Sequence, residues 1–192
     1  HVRIHNYNGT NWIQLGEDID GEAASDNSGS SVSFSSDGKI VAIRSYGNDG
    51  NGVDSGHVRI YNYNGTEWIQ LGEDIDGEAA SDAIQDKRAQ PLSISSDGKT
   101  VAIGAIFNNG NGADSGHIRI YNYNGTEWIQ LGEDIDGEAS NDHFGWSISL
   151  SSDGKTVATG AVDNDGNGSS SGHVRIHNYN GTAWTQLGED ID

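Results

Sequence analysis

The sequence predicts an all-β protein built of β-propeller-type blades of four antiparallel strands. Three observations predict it: a phrase written four times, a second phrase alternating with it, and a composition dominated by turn formers. The first phrase is GHIRIYNYNGTEWIQLGEDIDGE at 116–138. The copy at 57–78 differs from 117–138 only by Val58 for Ile118, the copy at 1–22 departs from it at His5 and Asn11, and the shorter copy at 173–192 departs at His177, Ala183 and Thr185. The second phrase is clearest as FGWSISLSSDGKTVATGA at 144–161. Units start at His1, His57, His117 and His173, spaced 56, 60 and 56 residues apart. The 192 residues include 28 Gly, one Pro, no Met and no Cys, which is rich in turns and poor in helix formers.

The strands follow in order along one unit. Val58 and Ile60 alternate with Arg59 and Tyr61, the two-residue period of a strand running to Tyr63. Asn64-Gly65 then predicts a type I′ hairpin, with positive φ at both residues, as do Asn8-Gly9, Asn124-Gly125 and Asn180-Gly181. The return strand is expected at 66–71, with Trp68 and Gln70 on one face and Ile69 and Leu71 on the other. An acidic connection, 72–78, leads to a second hairpin. There Trp146, Ile148 and Leu150 alternate with serines, Asp153-Gly154 turns the chain, and 156–161 returns; the equivalents are 31–43 and 92–105. The serine face is narrow enough for a neighbouring sheet to approach closely. Loops of Asn, Asp and Gly at 47–56, 108–116 and 163–172 lead to the next copy.

Four strands per 56 to 60 residues is the size of a propeller blade and too long for one coil of a parallel β-helix. The expected organisation is a half blade at 1–22, containing the second hairpin only, then units at 23–78, 79–138 and 139–192. A four-residue insertion in the second unit falls within 83–91, beside the adjacent basic pair Lys87 and Arg88. That makes about three and a half blades, open or closed by additional copies, and the chain opens and closes inside copies of one phrase, as a segment of a longer array would.

At this point the residues resemble a family. The unit is similar to the FG-GAP repeat of integrin α-chain β-propellers, particularly its bacterial and algal extracellular variety. Phe144-Gly145 matches the FG element, and Gly160-Ala161 the start of GAP, with Val162 in place of the proline. Gly104-Ala105 also matches, whereas Arg44-Ser45 does not. The resemblance implies propeller architecture and an extracellular or cell-surface protein. It also marks a departure: where calcium-binding repeats of this type carry several spaced carboxylates in the hairpin, this chain has Ser152, Asp153, Gly154 and Lys155.

A formal charge of −19 excludes nucleic acid and anionic membrane as partners, since both demand basic surface. No apolar run approaches the roughly 18 residues of a spanning helix, so no membrane insertion is expected in this segment. The absence of cysteine removes disulfides and thiol chemistry.

Calcium is the cofactor the sequence raises. Asp163, Asp165 and Asn167 reproduce the opening of a D-x-D-x-N-G loop, although Val174 stands where a bidentate acid would close an EF-hand. The acidic connections, with Asp74, Asp76 and Glu78 and with Asp134, Asp136 and Glu138, are a second carboxylate set. Asn8, Asn64, Asn124 and Asn180 lie in Asn-Gly-Thr and Asn167 in Asn-Gly-Ser, acceptor sequons for N-glycosylation in a eukaryotic secreted protein. The repeated histidines His1, His57, His117 and His173 read as structural, and repeated Tyr and Trp as packing between blades.

No unique catalytic constellation stands out, because almost every polar residue is duplicated, and no enzyme is expected. The reading is a non-enzymatic extracellular structural or adhesive repeat protein, with itself or other extracellular proteins or glycans as partners, assembling end to end into a fibril or surface layer. The alternative is a calcium-assisted protein- or glycan-binding propeller module.

Overall fold

The computed structural model describes residues 1–80 and 91–192, so most of the expected insertion, with Lys87 and Arg88, lies outside the described residues. Among the described residues there is no helix. The chain begins with a two-stranded sheet, β1 (His5–Tyr7) and β2 (Trp12–Gln14). Blade 1 follows, with strand order β3 (Ser31–Phe34), β4 (Ile40–Ser45), β5 (His57–Tyr63) and β6 (Trp68–Gln70), and β7 (Ile75–Asp76) also paired to β5. Blade 2 repeats this with β8 (Leu92–Ile94), β9 (Thr100–Ala105), β10 (His117–Tyr123), β11 (Trp128–Gln130) and β12 (Ile135–Asp136). Blade 3 contains β13 (Phe144–Leu150), β14 (Thr156–Ala161), β15 (His173–Tyr179) and β16 (Trp184–Gln186). All the pairings between these strands are antiparallel.

The apolar core lies between the blades. Because side chains alternate along a strand, each sheet has two faces to bury. Val41 and Ile43 of β4 turn toward Ile4 and Ile19 of the first hairpin, while Ala42 turns toward Leu92, Ile94 and Val101 of blade 2. Ala102, Ile118 and Ile120 of blade 2 in turn meet Phe144 and Val157 of blade 3. The strands β4 and β9 are thus buried on both sides, which suits their continuous apolar runs.

Serine permits the close approach of the innermost strands. Ser33 Oγ accepts from the Ile94 amide at 3.2 Å, and Ser93 Oγ from the Leu150 amide at 3.0 Å. Alongside them the Ser36 amide donates to the Ser96 carbonyl, and the Ser96 amide to that of Ser152, both at 3.0 Å. Backbone groups that a central strand edge would leave unpaired are bonded across blades.

Two local expectations are corrected. In the Asn-Gly hairpins only the glycine has positive φ, 108° at Gly65 and 103° at Gly181, so the turn is not type I′. Asn64 instead pairs with Glu67 through its amide at 3.1 Å, Gly65 and Thr66 form the two-residue loop, and a leading glycine suits a type II′ turn. The physical reason is the asparagine side chain: Asn64 Oδ1 accepts from the amides of Thr66 and Glu67 at 2.9 and 3.0 Å, an Asx turn. The return strand expected at 66–71 is also shorter, and part of the acidic connection is strand. After the glycine at 72, with φ of 76°, the chain returns to the sheet, and Ile75–Asp76 pairs with Val58 and His57. The outer strand is therefore one strand with a break at 71–74.

Candidate polar sites at the blade junctions

Each junction is closed by the same indole. Trp68 Nε1 donates to the Leu15 carbonyl at 2.8 Å, Trp128 Nε1 to Leu71 at 2.7 Å and Trp184 Nε1 to Leu131 at 2.8 Å. The glycine after that leucine makes the approach possible: a Cβ on Gly72 would lie 2.9 Å from Trp128 Cδ1, and one on Gly16 3.0 Å from Trp68 Cδ1. The FG element does a related job once. Phe144 is fully buried with its amide on the Ser115 carbonyl at 3.0 Å, and a Cβ on Gly145 would lie 2.9 Å from the His117 carbonyl.

Beside each indole lies a polar cluster that crosses the junction. His57, His117 and His173 open strands β5, β10 and β15 and are 4, 1 and 5 % exposed; His57 and His117 are paired on both sides, His173 with Ala161. His57 Nδ1 lies 3.6 Å from Asp74 Oδ2 of its own unit and 3.9 Å from Glu22 Oε2 of the preceding one. The second junction repeats this with Asp134 at 3.5 Å and Glu78 at 3.9 Å from His117 Nδ1, the third with Asp190 at 3.5 Å and Glu138 at 4.0 Å from His173 Nδ1. Two residues on, Arg59 shares the face of His57: it bonds Asp74 through Nε and Nη2 at 2.9 to 3.0 Å and pairs with Glu22. Arg119 and Arg175 reach back further, donating from Nη2 to the carbonyls of Asp76 at 3.1 Å and Asp136 at 2.7 Å.

These surroundings set the charge states. Burial holds His57 and His117 below the ordinary histidine range, opposed by Asp74 and Asp134, so both are neutral near pH 7. Burial opposes the charge on Arg59, but its hydrogen bonds to Asp74 and Glu22 outweigh it and hold the guanidinium above its usual range. Burial likewise opposes Asp74 ionisation, and the bonds from Arg59 and Gln70 win and lower its pKa.

Of the carboxylates singled out in the sequence, Asp74 and Glu78 go to successive junctions rather than to one ligand set, as do Asp134 and Glu138. Asp76 and Asp136 stand in strands and join neither cluster. In the Asn/Asp/Gly loop, Asp163 Oδ2 pairs with His143 Nδ1 at 2.8 Å and Asp165 Oδ1 accepts from the Ser170 amide at 2.7 Å, so both carboxylates already have partners inside the fold; Asn167 is exposed, its amide on Ser171 Oγ at 3.3 Å. Asn8, Asn64, Asn124 and Asn180 occupy exposed hairpin turns. The sequence reading missed His57, His117 and His173 as centres of polar clusters, and with them Glu22 and Asp190. A signal was present: histidine and aspartate recur 17 residues apart in every unit, at 57 and 74, 117 and 134, and 173 and 190.

Fold and junctions together define a β-propeller module of four-stranded blades. Residues 135–176 match the model of the FG-GAP repeat family. No curated protein matches the chain. Among solved structures, a Bacteroides uniformis protein provisionally named as a 6-phosphogluconolactonase is 17 % identical, with a TM-score of 0.60 over 98 % of this chain and 48 % of its own. The β-propeller domain of the Trilobed protease from Pyrococcus furiosus is 10 % identical, with a TM-score of 0.47 over 94 % of this chain and 46 % of its own. Pyrococcus horikoshii acylaminoacyl peptidase is 11 % identical, with a TM-score of 0.48 over 97 % and 27 %. The chain thus spans about half or less of these proteins, and at such identities the first likeness speaks for the fold alone.

Proposed function

We propose that this module is the non-enzymatic scaffold of an extracellular structural or adhesive protein, in which blades add end to end to further units of the same kind. The observation that carries the reading is the junction itself, where the same indole-to-carbonyl bond, glycine platform and histidine cluster recur three times. A surface that accepts its own copy in sequence is heterologous, and such contacts propagate unless the rotation closes. The two halves of that junction are also presented outward. Trp12, equivalent to Trp68, is 69 % exposed, and Leu187, equivalent to Leu131, is 50 % exposed. Repetition supports the non-enzymatic side as well, because catalytic sites need one converging set of specialised groups.

Sedimentation velocity and electron microscopy on the 192-residue chain test the reading. Concentration-dependent, linear or ring-shaped assembly is expected, and Trp12→Arg is expected to abolish it. Dispersed monomers at every concentration, or assembly indifferent to Trp12→Arg, would overturn end-to-end association.

A further inference from the structure

We propose that the blade junctions bind divalent transition-metal ions of the zinc class, one ion each, through Glu78, His117 and Asp134, through Glu138, His173 and Asp190, and less tightly through Glu22, His57 and Asp74. In each cluster one imidazole nitrogen and two carboxylate oxygens lie within 4.8 Å of one another. Ligands held about 2.1 Å from a tetrahedral ion sit about 3.4 Å apart. The distances from Nδ1 of 3.5 and 3.9 Å at His117, and 3.5 and 4.0 Å at His173, are close to that edge. They are also too long for good hydrogen bonds, so the histidine gains little from its carboxylates as they stand. At the first junction His57 Nδ1, the atom that faces Glu22 and Asp74, is buried without any hydrogen-bond partner; at His117 and His173 the buried atom without one is Nε2, on the opposite edge of the ring. A buried nitrogen lone pair aimed between two carboxylates is what a cation would satisfy.

The partners around the clusters favour the same answer. Gln130 Nε2 holds Asp134 Oδ1 and Gln186 Nε2 holds Asp190 Oδ1, both at 2.6 Å. Arg119 and Arg175 lie on Oε1 of Glu78 and Glu138, at 3.5 and 3.7 Å. The other oxygen of every carboxylate is thereby turned toward the histidine, the arrangement by which outer partners orient metal ligands. At the first junction Arg59 also takes Asp74 Oδ2, the oxygen nearest His57, and competes directly with an ion. Two carboxylates against one arginine leave the other charges of each cluster net negative, and the −19 charge of the chain adds a favourable field. Nitrogen in the donor set selects zinc-class ions over calcium, which takes oxygen ligands. The inference does not rest on the scaffold reading, since it concerns junctions inside one chain.

Calorimetry of the full chain, stripped with chelator and titrated at neutral pH with zinc chloride alone, tests it. Two tight sites and one weaker site are expected, with cobalt(II) giving a visible d–d band and calcium giving no comparable heat. His117→Gln with His173→Gln is expected to weaken the two tight sites at least tenfold. If that variant loses its far-UV circular dichroism, Glu78→Gln with Glu138→Gln decides, because those side chains are 42 and 45 % exposed and tolerate replacement. No zinc heat, equal calcium binding, or zinc binding unchanged in the folded variant would each overturn the proposal, the last by assigning the heat to scattered surface carboxylates.

Discussion

Trp128 shows how much of this fold a single side chain holds. Its ring tilts against Tyr123 with centroids 5.2 Å apart, its edge rests on Gly72, and its Nε1 satisfies the Leu71 carbonyl of the preceding blade. Trp128→Phe keeps an apolar ring and loses the bond, leaving a partly buried carbonyl without that donor, at a cost of about 1–2 kcal/mol. Trp12 is 69 % exposed, so Trp12→Phe is expected to change the stability of the unassembled chain by no more than about 0.5 kcal/mol. The glycines give a parallel contrast. Gly72→Ala must tolerate both φ of 76° and a contact of 2.9 Å with the indole, whereas Gly65→Ala, at φ of 108°, meets nothing within 4 Å. Gly72→Ala should therefore be the costlier change by about 1 kcal/mol or more. Denaturant titrations of the four variants check the order, and equal costs for Trp128→Phe and Trp12→Phe would remove the indole bond as the junction's fastener.

At the scale of elements, the hairpins depend on an asparagine side chain as much as on glycine. Asn124 Oδ1 accepts from the amides of Thr126 and Glu127 at 2.9 and 3.0 Å and from Thr126 Oγ1 at 2.9 Å. Asn124→Ala is expected to cost about 0.5–2 kcal/mol, the range for losing a side chain that caps backbone amides, while Asn124→Asp keeps the acceptor and stays near the parent in thermal melts. An aspartate as damaging as alanine would show that the amide nitrogen, not Oδ1, holds the turn. Such elements were legible in the sequence where their cause is local. The alternation of Val58 with Arg59, or of Ile148 with Ser149, fixes strand and face, and the recurring phrases fix the blade. The turn type was misread because an Asn-Gly pair names two residues that favour positive φ without saying that Asn64 will spend its side chain on the amides ahead. The clusters were not legible because their partners belong to different blades: Glu22 is 35 residues from His57, and only blade packing decides that Asp74 faces back while Glu78 faces forward. Identical repeats hid them further, since a duplicated residue reads as structural in one unit even where neighbouring units combine it into a site.

For the whole molecule, stability is a sum over blades and junctions in a repeat array, so a defect in one junction is felt by the array through its neighbours. His177 is such a defect. It stands where Tyr61 and Tyr121 stand in the other blades, is 6 % exposed, and has a buried Nδ1 without a hydrogen-bond partner. Burial, reinforced by the charge of Arg175, pushes its pKa down to about 4 from an ordinary 6.5. Between those values the unfolded chain binds the proton and the folded chain resists it, so stability is full above pH 6.5, declines as the pH falls, and has lost the whole contribution below about pH 4. His57 and His117, also lowered by burial, add to the same acid limb, while partial neutralisation of the −19 charge relieves repulsion and opposes it. The difference between parent and His177→Tyr isolates the single residue, because the other groups are common to both. The tyrosine variant is expected to melt roughly 2–4 °C higher near pH 7, from removing one unpaired buried nitrogen worth about 1 kcal/mol. Its advantage should widen steadily as the buffer is taken from pH 6.5 toward 4. Melting curves that stay parallel across that interval would mean that His177 is protonated as readily in the blade as in the unfolded chain.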